Sequence, residues 1–177
     1  MKIDKVTTKK GDKEKTTLSK EDNVSKTDSR VKFLGSLDLL TSSLGVSYNF
    51  LNKNDKNIVV KMINELFNVG AYIATDGKEE LSLKKEIAEV EEETSKINET
   101  LHSLDSFILP IGDPKFSELM RARAEARKVE IEYIELTKEF KNYSDELKIY
   151  LNRISDLLFV LARKNCKIEY KWVPRKK

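Results

Sequence analysis

The sequence predicts an all-α fold, a bundle of five helices, on three observations. Apolar residues recur at steps of three and four along most of the chain after residue 26. The breaks between these runs are short and carry Asn, Asp, Gly or Pro, the residues that stop and start helices. Convincing period-two alternation is missing, as is any internal repeat, so neither a sheet nor a solenoid is expected. At 177 residues the chain is one domain by length, 1–177, and long enough to bury a sizeable core.

The first 26 residues are polar, rich in Lys, Thr and Asp, and have little to bury. They are expected to form an extended segment ahead of a helical bundle spanning 27–166. The first helix starts at Thr27 or Asp28, both good N-caps. It carries Leu34, Leu37, Leu44, Tyr48 and Leu51 at helical spacing, and Gly35, Ser42, Ser43 and Gly45 permit close approach of a neighbour. NKNDKN (52–57) is the expected break. The second helix places Ile58, Met62, Ile63, Leu66, Phe67 and Ile73 on one face, and TDGKEE (75–80) interrupts it. Leu83, Ile87, Val90, Thr94, Ile97, Leu101 and Leu104 then form a seam in steps of four and three. Its acids, Glu89 and Glu91 to Glu93, read as a solvated face.

FILPIGDP (107–114) is a turn in which Asp113 caps and Pro114 opens the fourth helix, which runs to about Phe140. NYSDE (142–146) leads into the fifth helix. The remaining residues, 167–177, end in YKWVPRKK and are expected to be a frayed tail. Five helices of roughly 15–25 residues with short connections pack as a bundle.

Composition restricts the function. Hydrophobic residues make up 39% and charged ones 36%, the balance of a soluble protein with a heavily charged surface. Thirty-three basic residues against 30 acidic ones give a net charge of +3, too little for a dedicated nucleic-acid binder. Interleaved aromatics and an outward basic recognition helix are also missing. The lone Cys166 cannot form an internal disulfide, which suits a reducing cytosol. No apolar run approaches the ~20 residues of a membrane span, and MKIDKVTTKKGDKEK has no hydrophobic signal core. A cytoplasmic protein without membrane or nucleic-acid partners is expected. The single histidine excludes a di-iron carboxylate bundle, which needs Glu-x-x-His on two helices.

The chemistry-bearing residues lie on apolar stripes. LNRISDLLFVLAR (151–163) holds six consecutive residues with no side-chain polar atom, Leu157 to Ala162, yet also Asn152, Arg153, Asp156 and Arg163. Helix four repeats the pattern. Phe116, Leu119, Met120, Ala126, Val129, Tyr133 and Leu136 form its stripe, and Arg123, Arg127 and Glu130 line the edge one turn apart. Helix one sets Asp38 beside Leu37. Two readings stand: structural ion pairs, or a polar site built between helices. Arginines without a nearby histidine point the second toward an anion, since a guanidinium fork matches carboxylate and phosphate. TTKKGDKEKTT (7–17) adds glycine, hydroxyls and lysines, but it lacks the second glycine and the Gly-Lys-Thr order of a Walker A loop.

Taken together, four blocks resemble the PduO-type ATP:cob(I)alamin adenosyltransferases, in order and over most of the chain. TTKKGD with Thr16 and Thr17 is similar to that family's N-terminal phosphate loop. KTDSRVKFLGSLDLLTSSLG (26–45) resembles its first-helix motif, FILPIGD with RARAEARKVE its arginine segment, and LNRISDLLFVLAR its C-terminal motif. The resemblance implies a homotrimer of five-helix bundles with active sites between adjacent subunits. It implies that Thr8, Lys9, Lys10, Gly11, Thr16, Thr17 and Lys26 hold the triphosphate, and that Arg127 and Asn152 also contact ATP. By the same resemblance Asp38 and Arg123 form a salt bridge that shapes the site and Glu130 supports the arginines. Phe107 corresponds to the aromatic that keeps a lower ligand off the cobalt.

The chain departs from the family pattern at Glu14, where a second glycine is usual. Leu39, Thr41, Ile111, Met120 and Lys128 are further departures. The implied reaction moves the 5′-deoxyadenosyl group of ATP to cob(I)alamin, giving adenosylcobalamin and triphosphate. Cob(I)alamin is itself the nucleophile, so no general base is needed. Mg²⁺ is expected with the triphosphate, held by no protein side chain, and a cobalamin reductase is a further expected partner. The rival expectation is a non-catalytic trimeric bundle that binds ATP or adenosylcobalamin.

Overall fold

The computed structural model describes residues 10–18, 21–78 and 81–175. Five long helices account for most of them: α1 Ser29–Tyr48, α2 Lys53–Ala74, α3 Lys84–Asn98, α4 Pro114–Glu139 and α5 Asp145–Lys164. α4 lies centrally, flanked by α1 and α5; α2 packs on α1 and α3 on α5. One continuous core fills the space between them, with Phe33, Leu40 and Leu44 from α1 facing Leu119, Ala126 and Tyr133 from α4. Ala122 and Ala126 are fully buried on α4, and their small side chains let the neighbouring helices approach it closely. Leu157, Leu158 and Leu161 of α5 are all buried in the same core.

Capping chemistry sets most helix starts. Asp28 accepts from the Arg30 N–H at 2.9 Å to begin α1, Asp113 does the same for Lys115 ahead of α4, and Ser144 for Glu146 ahead of α5. Asn52 accepts from the backbone of Asn54 and Asp55. NKNDKN is therefore mostly the first turn of α2, and the break between α1 and α2 is shorter than its polar composition suggested. α3 stops at Asn98, so Leu101 and Leu104 lie past the helix that their spacing seemed to extend.

Two expectations are corrected. The N-terminal segment contains an antiparallel hairpin, β1 Lys15–Leu18 with β2 Glu21–Ser25, preceded by a 3₁₀ turn over Lys10–Lys13. Its strands are short and polar, which hid them from an alternation test. Residues 165–175, beyond α5, are not a frayed tail either. Ile108 and Lys171 form an antiparallel bridge, tying the C-terminal segment to the loop between α3 and α4.

Candidate functional site

Apart from Asp38 on α1, the described site residues fall into three groups: the turn and hairpin near the N-terminus, the shared face of α4 and α5, and the loop ahead of α4. Thr8 and Lys9 lie outside the described residues. Lys10 and Gly11 belong to the 3₁₀ turn. Thr16 is half-buried and pairs with Val24, Thr17 is exposed in β1, and Lys26 is exposed just past β2. The turn and hairpin close on one another where the Lys26 N–H donates to the Glu14 carbonyl at 3.0 Å. Glu14 itself has φ +59°, a left-handed conformation that costs a side-chain-bearing residue and suits glycine. The missing glycine thus falls at the position where the backbone most asks for one.

Behind the hairpin, Arg30 is locked in place. Its Nε and Nη2 donate to the two carboxylate oxygens of Asp28 at 3.0 and 2.9 Å, and its guanidinium stacks 4.8 Å from the Phe140 ring centre. Asp76 approaches the same guanidinium at 3.6 Å and accepts from the Tyr143 hydroxyl at 3.1 Å. The Arg30 side-chain hydrogen bonds hold the Asp28 carboxyl below its ordinary range, against the opposing effect of burial. This network joins the start of α1 to the α2–α3 and α4–α5 connections. Arg30 appeared in the sequence only as part of a motif, because Asp76 and Phe140, which complete its surroundings, are distant along the chain.

On the α4–α5 face, Asn152 Nδ2 donates to Glu130 Oε1 at 3.0 Å, and Arg153 Nη1 donates to Asn152 Oδ1 at 2.9 Å. Arg153 in turn meets Glu91 of α3 at 2.6 Å. Arg123 is half-buried, 5.2 Å from the centre of the Phe159 ring. Burial, and then the charge of Arg127, lower the Arg123 pKa, while Asp156 opposes them. Arg127 is exposed. Two guanidiniums one helical turn apart, without an ion pair to either among the described residues and with only Asp156 acting on Arg123 through space, present a positive field that suits a polyanion.

The structure also separates residues that the sequence had grouped. Asp38 is exposed on α1, and no ion pair joins it to Arg123 among the described residues of one chain. No hydrogen bond joins Thr16 or Lys26 to Arg127 or Asn152. Arg163, aligned with Asn152 and Asp156 in sequence, is buried and structural: its Nε meets Glu169 at 2.8 Å and its Nη2 donates to the His102 carbonyl at 2.7 Å. For this residue the structural reading of the greasy helix is right.

Phe107 stands on the loop ahead of α4 with its ring largely in solvent, edge-on to Trp172. A cleft of about 630 Å³ between α2 and α3 is lined by none of the predicted residues. Those residues lie outside it, exposed or half-buried.

Residues 6–165 match the sequence profile of the family described as cobalamin adenosyltransferase. A corrinoid adenosyltransferase of Mycobacterium leprae is 31% identical over 173 residues, covering 91% of each chain. The corrinoid adenosyltransferase PduO of Salmonella typhimurium is 33% identical over 162 residues, 88% of this chain but 48% of that protein. Among solved structures, a variant PduO-type ATP:corrinoid adenosyltransferase from Lactobacillus reuteri, complexed with cobalamin and ATP, superposes with a TM-score of 0.85 at 27% identity. That match covers 91% of this chain and 90% of the other.

Proposed function

The chain belongs to the cobalamin adenosyltransferase family, and from that membership we propose that it transfers the 5′-deoxyadenosyl group of ATP to the cobalt of cob(I)alamin. The cobalt electron pair forms the Co–C5′ bond while the C5′–O bond breaks, and triphosphate leaves with that bond's electrons. Cobalt rises formally from Co(I) to Co(III). No proton moves, so the protein needs no general base. What it must supply is alignment of two substrates and a positive field for the departing triphosphate.

The observation that supports the reading is the Arg123–Arg127 pair, free of close ion pairs among the described residues, beside the Asn152–Glu130 hydrogen bond. In this reading Arg127 and Asn152 contact ATP, Glu130 orients Asn152, and Thr8 to Gly11, Thr16, Thr17 and Lys26 take the triphosphate. Phe107 bars a lower ligand from the cobalt. Mg²⁺ accompanies the triphosphate, whose oxygens suit a hard cation; among the described residues no three metal-ligating side chains converge.

We further propose that the active unit is a homotrimer with its sites between subunits. Leu39 and Val46 are exposed on α1, and a Cβ at Gly35 or Gly45 would meet nothing within 4 Å. Among the described residues nothing packs on that face of α1 at the two glycines, so it is free to receive another copy. Asp38, unpaired within the chain, would then meet Arg123 of an adjacent subunit. None of the described helices is long and apolar enough to cross a membrane; a cytoplasmic location and supply of Co(I) by a separate reductase complete the proposal.

The deciding experiment is an anaerobic assay with ATP and pre-reduced cobalamin, followed by absorbance. Growth of the alkylcobalamin spectrum with release of triphosphate is expected. Tight binding of ATP without turnover would instead favour a non-catalytic binding trimer.

A further inference from the structure

The sole tryptophan, Trp172, lies outside every motif that carries the family resemblance and beyond the residues matched by the family profile. Its position is nonetheless well determined. The segment after α5 runs antiparallel to the loop between α3 and α4 around the Ile108–Lys171 bridge. The Trp172 N–H donates to the Phe107 carbonyl at 2.8 Å, and the Leu109 N–H to the Tyr170 carbonyl at 2.8 Å. Ser106 Oγ donates to the Trp172 carbonyl at 2.9 Å, and Lys171 Nζ lies 2.7 Å from Asp105. This register sets Phe107 directly across from Trp172. The two rings meet edge to face, with centroids 6.1 Å apart and planes at 66°.

Phe107 is 79% exposed and Trp172 47%. A ring so exposed on a loop has several rotamers open to it, and steric control of one cobalt face demands a single one. Trp172 is the ring that meets Phe107 among the described residues. The hydrogen bonds around it also fix the backbone from which Phe107 projects. We infer that Trp172 is a positioning residue for Phe107, holding it in the orientation that bars a lower ligand from the corrinoid cobalt. The inference rests on the role proposed above for Phe107. Trp172 acts through Phe107 and through the loop, and needs no contact with ATP.

Without the tryptophan ring, Phe107 spreads over other rotamers, and the share of bound corrinoid lacking a lower ligand falls with the share of competent loop. The test uses the full chain with ATP and cob(II)alamin, whose paramagnetic resonance spectrum separates cobalt bearing a nitrogen lower ligand from cobalt without one. Trp172→Ala is expected to lower the ratio of ligand-free to ligand-bound cobalt roughly three- to tenfold, the shift that loss of one aromatic pair produces. Turnover should fall by a similar factor while the KM for ATP stays put. Trp172→Phe, which keeps a ring edge, should restore most of both.

Phe107→Ala serves as the reference. If it lowers the ligand-free share and Trp172→Ala does not, the inference is overturned and the reading of Phe107 stands. If Phe107→Ala leaves that share at the wild-type level, both are overturned. Should Trp172→Ala lose its helical circular dichroism, Trp172→Leu, which fills space without an aromatic edge, replaces it under the same two readings.

Discussion

Asn152 of α5 donates its side-chain amide to Glu130 of α4 at 3.0 Å, one turn along from Arg127. The other end of the same amide accepts from Arg153, which is anchored to Glu91 of α3. A polar side chain in a helix with a long apolar run is thus oriented at both ends before any ligand arrives. Preorganisation of this kind is useful for binding and adds little to folding, because the pair is only half-buried. Asn152→Ala is therefore expected to raise the KM for ATP while leaving the helical circular dichroism unchanged. Glu130→Ala should show a weaker version of the same effect. Loss of the folded signal in Asn152→Ala would return this residue to a structural role.

Arg127 is the residue on which the proposed chemistry leans most. Negative charge grows on the departing triphosphate, so a guanidinium there stabilises the transition state more than bound ATP. Arg127→Ala should lower turnover at saturating ATP by roughly 10²–10³, the effect of removing one preorganised donor. Arg127→Lys should rescue poorly, because lysine offers a point charge without the fork. A sizing column run alongside separates a catalytic loss from failed assembly; wild-type turnover in the alanine variant would sink the assignment.

Asp38 is exposed within one chain, and no ion pair to Arg123 is formed among the described residues. Asp38→Asn should consequently leave unfolding of the isolated subunit within about 0.5 kcal/mol of wild type, as surface substitutions do. The same change should weaken the trimer and its activity, measured by sedimentation over a dilution series. Combining Asp38→Asn with Arg123→Met should recover assembly in part and activity not at all. Full assembly in the single variant would show that the pair does not form between subunits.

Glu14 holds a left-handed backbone at φ +59° with its carbonyl engaged by Lys26. Glycine adopts this conformation without the steric cost of about 1 kcal/mol that a β-carbon brings. Glu14→Gly also removes a negative charge from a loop proposed to hold triphosphate. A several-fold lower KM for ATP is expected, with the larger gain at low salt. Glu14→Val, branched at the β-carbon, should destabilise the turn and raise the KM.

The Asp28 carboxyl is held below its ordinary value of 3.8 by Arg30. Its folded pKa is depressed, so its stabilisation is fully present above the unfolded value and is lost as pH falls through the folded one. Asp28→Asn keeps an N-cap oxygen but removes the charge. The variant should melt a few degrees below wild type at pH 7, as a loss of about 1 kcal/mol does in a domain of this size. That gap should narrow as pH drops below 4. A gap independent of pH would show that capping alone, not the ion pair, sets the contribution of Asp28.

The sequence alone determined the presence of five helices and the starts of α1 and α4. Asp28, Asp113–Pro114 and Ser144 act within two or three residues of themselves, and the stripes of α4 and α5 repeat at fixed spacing. Such local rules are legible because both partners lie in one short window. Arg123, Arg127 and Glu130 were visible for the same reason, as polar residues on the edge of an apolar stripe.

Only the tertiary structure decided which polar residue meets which. Arg163 and Asn152 share a helix and a similar spacing, yet Arg163 is consumed by Glu169 and the His102 carbonyl while Asn152 turns to Glu130. Asp38 follows the buried Leu37 and is itself exposed, because α4 packs against the other side of α1. Trp172 looked like part of a loose end until Ile108 and Lys171 paired. The physical reason is common to all of them. Hydrogen bonds, ion pairs and ring contacts between residues tens of positions apart depend on how helices are placed against one another. That placement is set by the summed packing of the whole core, and no single stretch of sequence contains it.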